Sequence, residues 1–245
     1  MRKQIKDVLK MCIKSCINTY EGKYGKVDRS MFKKYKKYSV ENVEFEIGEY
    51  KNSTLVISFK GSSGSEDWKD NFKFNRKSVK LNKLEVPYKG TDSNIKVHNG
   101  FIGQYRLIKS MLNGIVKQQK FCKICNVIIT GHSLGAALAT IAAIDIKYMF
   151  PNVPVVCVLF GSPRVGNRAF AKSFNKYVKT CYNIINEEDA ITKLPPWTFG
   201  YKRVKTVLNI GHVPWWKYVI NPMLKITGDI LEHYPEKYEA NVDIL

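Results

Sequence analysis

The stretch Val127–Thr140, VIITGHSLGAALAT, passes from β-branched residues into an alanine-rich run, with Ser133 between two glycines at the junction. Asn126–Thr130 is apolar and β-branched enough for a buried strand, and Leu134–Ile146 is rich in Ala and Leu, which favour helix. Glycines are expected where a strand and a helix pass too close for a Cβ. A G-x-S-x-G alone arises often by chance, but this context predicts a strand, a strained turn and a helix that hold Ser133 up as a nucleophile.

Length and composition predict one domain, 1–245. With 245 residues, 44% of them hydrophobic, the chain can bury one substantial core. It has no internal repeat, no linker-like run, and no apolar run near the roughly 18 residues of a membrane span. Residues 1–30 are interpreted as an N-terminal amphipathic helical segment, because Leu9, Cys12 and Cys16 recur at helical spacing and the lysines fall on another face.

The cysteines indicate neither a disulfide scaffold nor a metal site. Six cysteines are few for a chain of this length, and Cys122–Cys125 contains the only C-x-x-C. Four dispersed histidines offer no second ligand pair, so we expect no metal ion. Lys6 and Lys10 interrupt the apolar run that a signal peptide would need. Together these features indicate an intracellular protein with reduced thiols.

The formal charge of +19 would attract phosphate, in nucleic acid or at an anionic membrane surface. The stretch Met31–Ser39, MFKKYKKYS, interleaves lysine with tyrosine, as such a patch could. Lysine, asparagine and isoleucine are all plentiful, however, and lysines also form ordinary solvated surface, which is the interpretation we favour. We therefore expect no specific nucleic-acid partner and leave peripheral contact with an anionic membrane open. The sequence does not indicate an oligomeric state.

A catalytic Ser133 requires a histidine base and an acid that holds that histidine. Among the four histidines, His132 adjoins the nucleophile, where an elbow directs the side chain away from the serine. His98 precedes Ser133, whereas the α/β-hydrolase order along the chain is serine, acid, histidine. His212 and His233 therefore remain as candidate bases.

The acid should follow a strand that comes after the serine. The strand candidate Cys181–Ile185 is followed closely by three acidic residues, Glu187, Glu188 and Asp189. Spacing alone does not choose between Glu188 and Asp189. Asp145 is a weaker candidate because it lies in mid-helix, where a solvated side chain is expected. Asp229 is so close to His233 that a surface or capping role is favoured.

An oxyanion hole is the remaining requirement, because the tetrahedral intermediate of acyl transfer needs hydrogen-bond donors already in place. The elbow itself supplies the backbone N–H of Leu134. A second donor is expected from a loop after an earlier strand. The strand candidate Leu55–Phe59 leads into Gly61, Ser62 and Ser63, which have the right form. A flexible turn is the alternative interpretation of this GSSGS stretch.

Taken in chain order, these motifs resemble those of the class 3 lipases, the fungal-type triacylglycerol lipases of the α/β-hydrolase fold. The resemblance extends from about residue 43 to residue 238, and the combination is far more specific than any one part. The matching stretches are VISFKGSSGSEDWKDNF (Val56–Phe72), VHNGF (Val97–Phe101), GHSLGAALA (Gly131–Ala139), FGSPRVGN (Phe160–Asn167), NEEDAITKLPP (Asn186–Pro196) and HYPEKY (His233–Tyr238).

The resemblance implies a role for each candidate. It selects Asp189 as the acid and His233 as the base, and it makes Ser62 an oxyanion donor beside the Leu134 N–H. It also implies that His98 and Arg164 are scaffold residues near the site.

The resemblance places a lid at EDWKDNF, where Trp68 and Phe72 lie four positions apart among four charged residues. This lid candidate is more polar than a strongly lipolytic lid should be. Trp215 and Trp216 follow in HVPWW and are candidates to line the acyl groove or to complete the core.

We therefore expect an α/β-hydrolase fold with a mixed, mostly parallel central sheet flanked by helices. The expected activity is cofactor-free hydrolysis of a carboxylic ester by Ser133, His233 and Asp189, with a lipid ester as the leading substrate. One alternative is a soluble-ester or feruloyl-type esterase on the same scaffold. The other is a basic protein that binds nucleic acid or anionic membranes with an idle hydrolase fold.

Overall fold

The structure is a computed structural model that describes residues 2–51, 53–62, 81–83, 94–121, 126–205, 207–211, 220, 223 and 229–244. Within these ranges the strands are β1 (Lys34–Val40), β2 (Val43–Tyr50), β3 (Thr54–Phe59), β4 (Leu81–Lys83), β5 (Lys96–His98), β6 (Asn126–His132), β7 (Val155–Phe160), β8 (Gly166–Asn167), β9 (Thr180–Asn186), β10 (Tyr201–Lys202) and β11 (Val207–Ile210). The helices are α1 (Arg2–Asn18), α2 (Asn99–Phe121), α3 (Leu134–Met149), α4 (Arg168–Tyr177) and α5 (Pro235–Ile244). Short 3₁₀ turns occupy Ile191–Lys193, Trp197–Phe199 and Ile230–His233.

The central sheet has seven strands in the order β1-β2-β3-β6-β7-β9-β11. The first three strands pair antiparallel, and β3, β6, β7, β9 and β11 pair parallel. A smaller antiparallel sheet has the order β10-β8-β5-β4. The predicted mixed, mostly parallel sheet is thus confirmed. Since the carboxyl ends of parallel strands meet at one edge, side chains that follow β3, β6, β7 and β9 converge there.

The core lies on both faces of this sheet because successive side chains of a buried strand point to opposite faces. Ile129 of β6 and Leu159 of β7 belong to the larger cluster, which the helix α3 completes. Ile128 and Val158, one position away on the same strands, pack in a second cluster with residues of α1 and α5. Helices therefore cover the sheet on both sides, which explains why β6 and β7 are apolar along their whole length.

Helix α1 covers Arg2–Asn18 and has a buried face and an exposed face. Its apolar positions Leu9, Cys12 and Cys16 are buried against the sheet, whereas Lys3 and Lys14 are exposed. Among the helices of the described ranges, none is long and apolar enough to cross a membrane.

The expectation of a solvated Asp145 is wrong. This carboxylate is buried and accepts hydrogen bonds from the Tyr105 hydroxyl at 2.9 Å and the Asn113 side-chain amide at 3.2 Å, and it pairs with Lys109 at 2.9 Å. All three partners lie on α2, which packs against α3. Asp145 therefore joins two helices, and the reason is that α3 is buried nearly all round and leaves no solvated face at this position.

The elbow glycines generate a prediction about stability. A Cβ on Gly131 would collide with the backbone carbonyl of Gly135, which has no room to move. We expect Gly131→Ala to lower the free energy of unfolding by about 2 kcal/mol or more, as overpacking does. A Cβ on Gly103, an exposed position of α2, meets no described atom within 4 Å. Gly103→Ala should therefore raise stability by about 0.5 to 1 kcal/mol. Urea unfolding of both variants measures this, and a Gly131→Ala protein as stable as wild type would show that the close approach is not real.

Candidate active site

Ser133 occupies the turn between β6 and α3 in a strained backbone conformation. Its φ is 59° and its ψ is −126°, a region that non-glycine residues rarely adopt. Its N–H donates to the carbonyl of Phe160 at 3.0 Å, and its carbonyl accepts from the N–H of Ala136, the first turn of α3. The hydroxyl is buried and has no hydrogen-bond partner in the parts of the chain that the structure describes. The turn thus holds a buried serine hydroxyl that is available to react.

Asp189 and His233 form a fully buried pair. The Nδ1 of His233 lies 2.7 Å from Oδ2 of Asp189, and neither side chain is exposed to solvent. A carboxylate accepts hydrogen bonds, so Nδ1 carries the proton, and Nε2 of the neutral ring then carries the lone pair that can take up another. The pair therefore has the arrangement of a histidine base held by an acid.

Two further groups hold the Asp189 carboxylate. The backbone N–H of Ile191 donates to Oδ1 at 2.8 Å, and the hydroxyl of Tyr238 on α5 donates to Oδ2 at 2.5 Å. Burial and the nearby Asp189 charge raise the pKa of Tyr238, so its hydroxyl stays protonated and remains a donor. The carboxylate consequently has a fixed orientation toward His233.

The other acidic residues near this loop have different partners. Glu188 pairs with Lys193. Asp229 accepts from the backbone N–H of Leu231 at 2.9 Å and so caps the turn that leads to His233, which confirms the expected capping role. Asp189 is therefore the acid of this loop that contacts His233.

The other candidate histidine lies outside the described residues, and His98 lies in the smaller sheet. His212 is within 212–219, which the structure does not describe. The ring of His98 packs on Phe101 with 4.3 Å between centroids, and its backbone N–H donates to Val165. Burial lowers the pKa of His98 to about 4, so this ring is neutral near pH 7. Its position at the junction of β5 and α2 agrees with a scaffold role.

The loop after β3 runs directly beside the elbow. Phe59 is paired with Gly131 in the parallel register, so the residues after each strand emerge side by side. A Cβ on Gly61 would lie 3.2 Å from the Cβ of Ser133, and Ser62 is buried. The N–H of Leu134 opens α3 on the other side of Ser133. Gly61 therefore lies beside Ser133, with Ser62 next to it in the chain, and Leu134 directly follows the serine.

The lid and groove candidates Trp68, Phe72, Trp215 and Trp216 lie outside the described residues, as do Ser63 and the C-x-x-C of Cys122–Cys125.

Two arginines that face the acid loop hold its carbonyl groups. Arg164 donates to the carbonyls of Lys193 and Pro195, and Arg203 donates to the carbonyl of Thr192. Burial and the nearby Arg164 lower the pKa of Arg203 to about 10, which leaves it charged at neutral pH. The resemblance implied a scaffold role for Arg164, but sequence reasoning missed Arg203, because a single arginine between short elements gives no signal.

Gly161 is a second residue that the sequence analysis missed. Its φ is 58°, and a Cβ there would lie 2.9 Å from both Asp189 Oδ2 and His233 Nδ1. The backbone after β7 therefore packs directly against the buried pair. Its place in FGSPRVGN is the one signal that could have pointed to it.

Comparison with known proteins identifies the family of this chain. The family model described as Lipase (class 3) matches residues 56–199, which is more than half of the chain. The chain belongs to the class 3 lipase family. The matched range includes the elbow, the oxyanion loop and the acid loop.

Class 3 relatives include plant and fungal enzymes. The chain is 35% identical over 158 residues to Phospholipase A(1) DAD1, chloroplastic, of Arabidopsis thaliana, covering 61% of this chain and 35% of the relative. It is 30% identical over 149 residues to Secreted mono- and diacylglycerol lipase 1 of Fusarium solani, covering 60% of this chain and 41% of the relative. The chain thus spans between a third and a half of the length of these curated relatives.

A solved structure shows the same fold. The triacylglyceride lipase of Rhizomucor miehei superposes with a TM-score of 0.71 at 22% identity, covering 95% of this chain and 94% of the other. At this identity the likeness establishes the class 3 lipase fold.

The two neighbouring carboxylates, Asp189 and Glu188, give a prediction about the reactivity of Ser133. Asp189→Asn should lower the rate at which a fluorophosphonate labels Ser133 by roughly 10³-fold or more, because an amide no longer favours the required histidine tautomer or stabilises the imidazolium. Glu188→Gln removes a neighbouring carboxylate that pairs with Lys193 and should stay within a few-fold of wild type. Labelling rates of the two purified proteins decide the matter, and the opposite order would show that Glu188 is the acid.

Proposed function

We propose that this chain is a serine hydrolase that cleaves carboxylic esters of lipids through Ser133, His233 and Asp189. The observation that carries the proposal is the buried pair of Asp189 and His233, packed beside a strained elbow whose serine hydroxyl is buried and unpartnered within the described residues. Membership of the class 3 lipase family supports it.

The reaction uses each of the three side chains. Oγ of Ser133 attacks the acyl carbon while Nε2 of His233 takes the hydroxyl proton. Collapse of the tetrahedral intermediate breaks the ester C–O bond, and the imidazolium returns its proton to the leaving alcohol. Water then attacks the acyl-enzyme by the same steps, which releases the fatty acid and restores Ser133. Asp189 keeps Nδ1 protonated and stabilises the imidazolium throughout.

The oxyanion of each intermediate is stabilised by the Leu134 N–H and by Ser62. Leu134 follows Ser133 at the start of α3, and Ser62 follows Gly61, which lies beside Ser133 in the loop after β3. Donors that are already in place at a buried site stabilise developing charge without reorganisation. The proposed chemistry needs no cofactor.

Exposed apolar side chains beside the base support a lipid substrate. Ile230 and Leu231 precede His233 in its 3₁₀ turn, and they are 41% and 58% exposed. Apolar groups that open to solvent beside a reactive centre are suited to contact acyl chains. The names of the relatives describe enzymes that act on phospholipids and on mono- and diacylglycerols, which agrees with this substrate class.

A hydrolysis profile over esters of increasing acyl length tests the proposal. We expect turnover of short and medium acyl esters, and of glycerides above their solubility limit, with Ser133→Ala lower by about 10⁴-fold or more. Ser173→Ala removes a half-exposed hydroxyl on α4 and serves as a matched control. Undiminished activity in Ser133→Ala contradicts the mechanism. Activity confined to soluble esters assigns the chain to the soluble-ester esterases.

We also propose peripheral contact with anionic membranes through the edge strand β1. Lys34 and Lys36 are exposed and lie on one face of this strand. Lys37 lies on the other face and is paired with Glu21 and Glu44. The edge strand β1 thus presents two exposed lysines, Lys34 and Lys36. The charge of the neighbouring Lys37 is balanced by its glutamate partners.

The contrast between these lysines gives a matched test on anionic vesicles. Lys36→Gln should weaken binding by about 1 kcal/mol, or roughly fivefold, because a lysine near an anionic surface contributes about that much. Lys37→Gln removes the same formal charge and should change binding little. Binding should also fall steeply with salt. Equal effects of the two variants in a vesicle sedimentation assay would assign the binding to net charge instead of to β1.

The proposed location is a reducing, intracellular compartment. It is supported by Cys12, Cys16, Cys157 and Cys181, all of which are free, the first three being buried in the core.

A further inference from the structure

Tyr20 follows α1 and reaches into the candidate active site. Its side chain is buried, and its hydroxyl oxygen lies 2.9 Å from Nδ1 of His132. The same oxygen packs against the backbone of Gly61, because a Cβ on that glycine would lie 2.2 Å from it. One phenol therefore contacts both the residue before Ser133 and the residue before Ser62.

His132 continues this chain of hydrogen bonds to the base. Its Nε2 lies 2.7 Å from the backbone carbonyl of His233. A carbonyl only accepts, so Nε2 carries the proton, and Nδ1 of the neutral ring accepts from the Tyr20 hydroxyl. The rings of His132 and His233 are also packed together, with 4.6 Å between centroids.

The electrostatic surroundings keep this arrangement in one protonation state. Burial and the neighbouring His233 lower the pKa of His132 well below its usual range. Burial raises the pKa of Tyr20 well above its usual range. Both groups are therefore neutral near pH 7, and each hydrogen bond has a single donor and a single acceptor.

We propose that Tyr20 is a positioning residue of the active site. Its hydroxyl fixes the Nε2–H tautomer of His132, and His132 in turn holds the backbone of His233 beside the elbow. The same oxygen packs against Gly61, the residue before Ser62, and so limits the position of that loop. Asp189 fixes the orientation of the His233 ring. The hydrogen bonds from Tyr20 through His132 fix the position of the His233 backbone, which carries that ring. The inference rests on the proposed function, because it concerns how the three reacting segments are held together.

Tyr24 provides a matched control. Its ring packs against Tyr20 with 4.9 Å between centroids. Its hydroxyl makes no hydrogen bond to any residue whose position the structure gives. Tyr24→Phe and Tyr20→Phe each remove one hydroxyl from the same pair of packed rings, but only Tyr20→Phe breaks the contact to His132.

The experiment measures how fast a fluorophosphonate labels Ser133, per folded protein and well below the melting temperature of each variant. We expect Tyr20→Phe to slow labelling on the order of 10-fold to 100-fold, the size of effect that a small misplacement of reacting groups produces. Tyr24→Phe should remain within about twofold of wild type. Wild-type labelling in Tyr20→Phe, or equal slowing in both variants, overturns the inference and leaves the proposed function standing. A wild-type protein that is not labelled overturns the proposed function and the inference with it.

A second measurement needs no substitution. Nitrogen NMR of the wild-type protein should show His132 neutral, protonated at Nε2, and unchanged through neutral pH. A His132 that is charged, or that is protonated at Nδ1, overturns the inference even if Tyr20→Phe fails to fold. In a folded Tyr20→Phe protein the Nδ1–H tautomer should gain population, which simple loss of packing would not cause.

Discussion

The close approach of β6 and α3 at Ser133 is the constraint on which the rest of the structure depends. A Cβ on Gly131 would meet Gly135, and a Cβ on Gly135 would meet the carbonyl of Phe59 on the neighbouring strand. Three backbone segments therefore meet with no side chain between them. This contact brings the end of β3, and with it Ser62, beside the nucleophile, and it forces Ser133 into its strained conformation. The reactive geometry is thus a consequence of backbone packing.

Around this contact the site is a buried polar network with nearly every group satisfied. Asp189 accepts from His233, Tyr238 and Ile191, and Arg203 donates to the carbonyl of Thr192 in the same loop. Such networks are rigid when complete, because a lost partner leaves a buried polar group whose desolvation is uncompensated. The Ser133 hydroxyl has no hydrogen-bond partner within the described residues, and it is the group that the proposed chemistry requires to be free.

Local features of the sequence predicted the fold, and order along the chain predicted much of the site. The strand and helix around Ser133 follow from β-branched and alanine-rich runs, which report local conformation directly. Spacing left Glu188 and Asp189 undecided, and the family resemblance resolved them. Arg203 was missed because a single arginine between short elements gives no signal. Tyr20 was missed because its partner His132 lies 112 positions away along the chain. Asp145 was misjudged for the same reason, since its partners belong to another helix. Contacts of this kind depend on tertiary packing and leave no periodic signal.

The packing of α1 against α5 has a consequence for the order in which the parts of the site can form. Tyr20 follows the first helix, His233 and Tyr238 lie in the last segments described, and Ser133 lies between them in the chain. Contacts so distant in sequence form slowly, because the intervening chain must first be ordered. A chain in which only the elbow has folded still lacks His233 and the Tyr238 hydroxyl that holds Asp189. The proposed hydrolysis therefore requires that the segments on both sides of the elbow have packed against it.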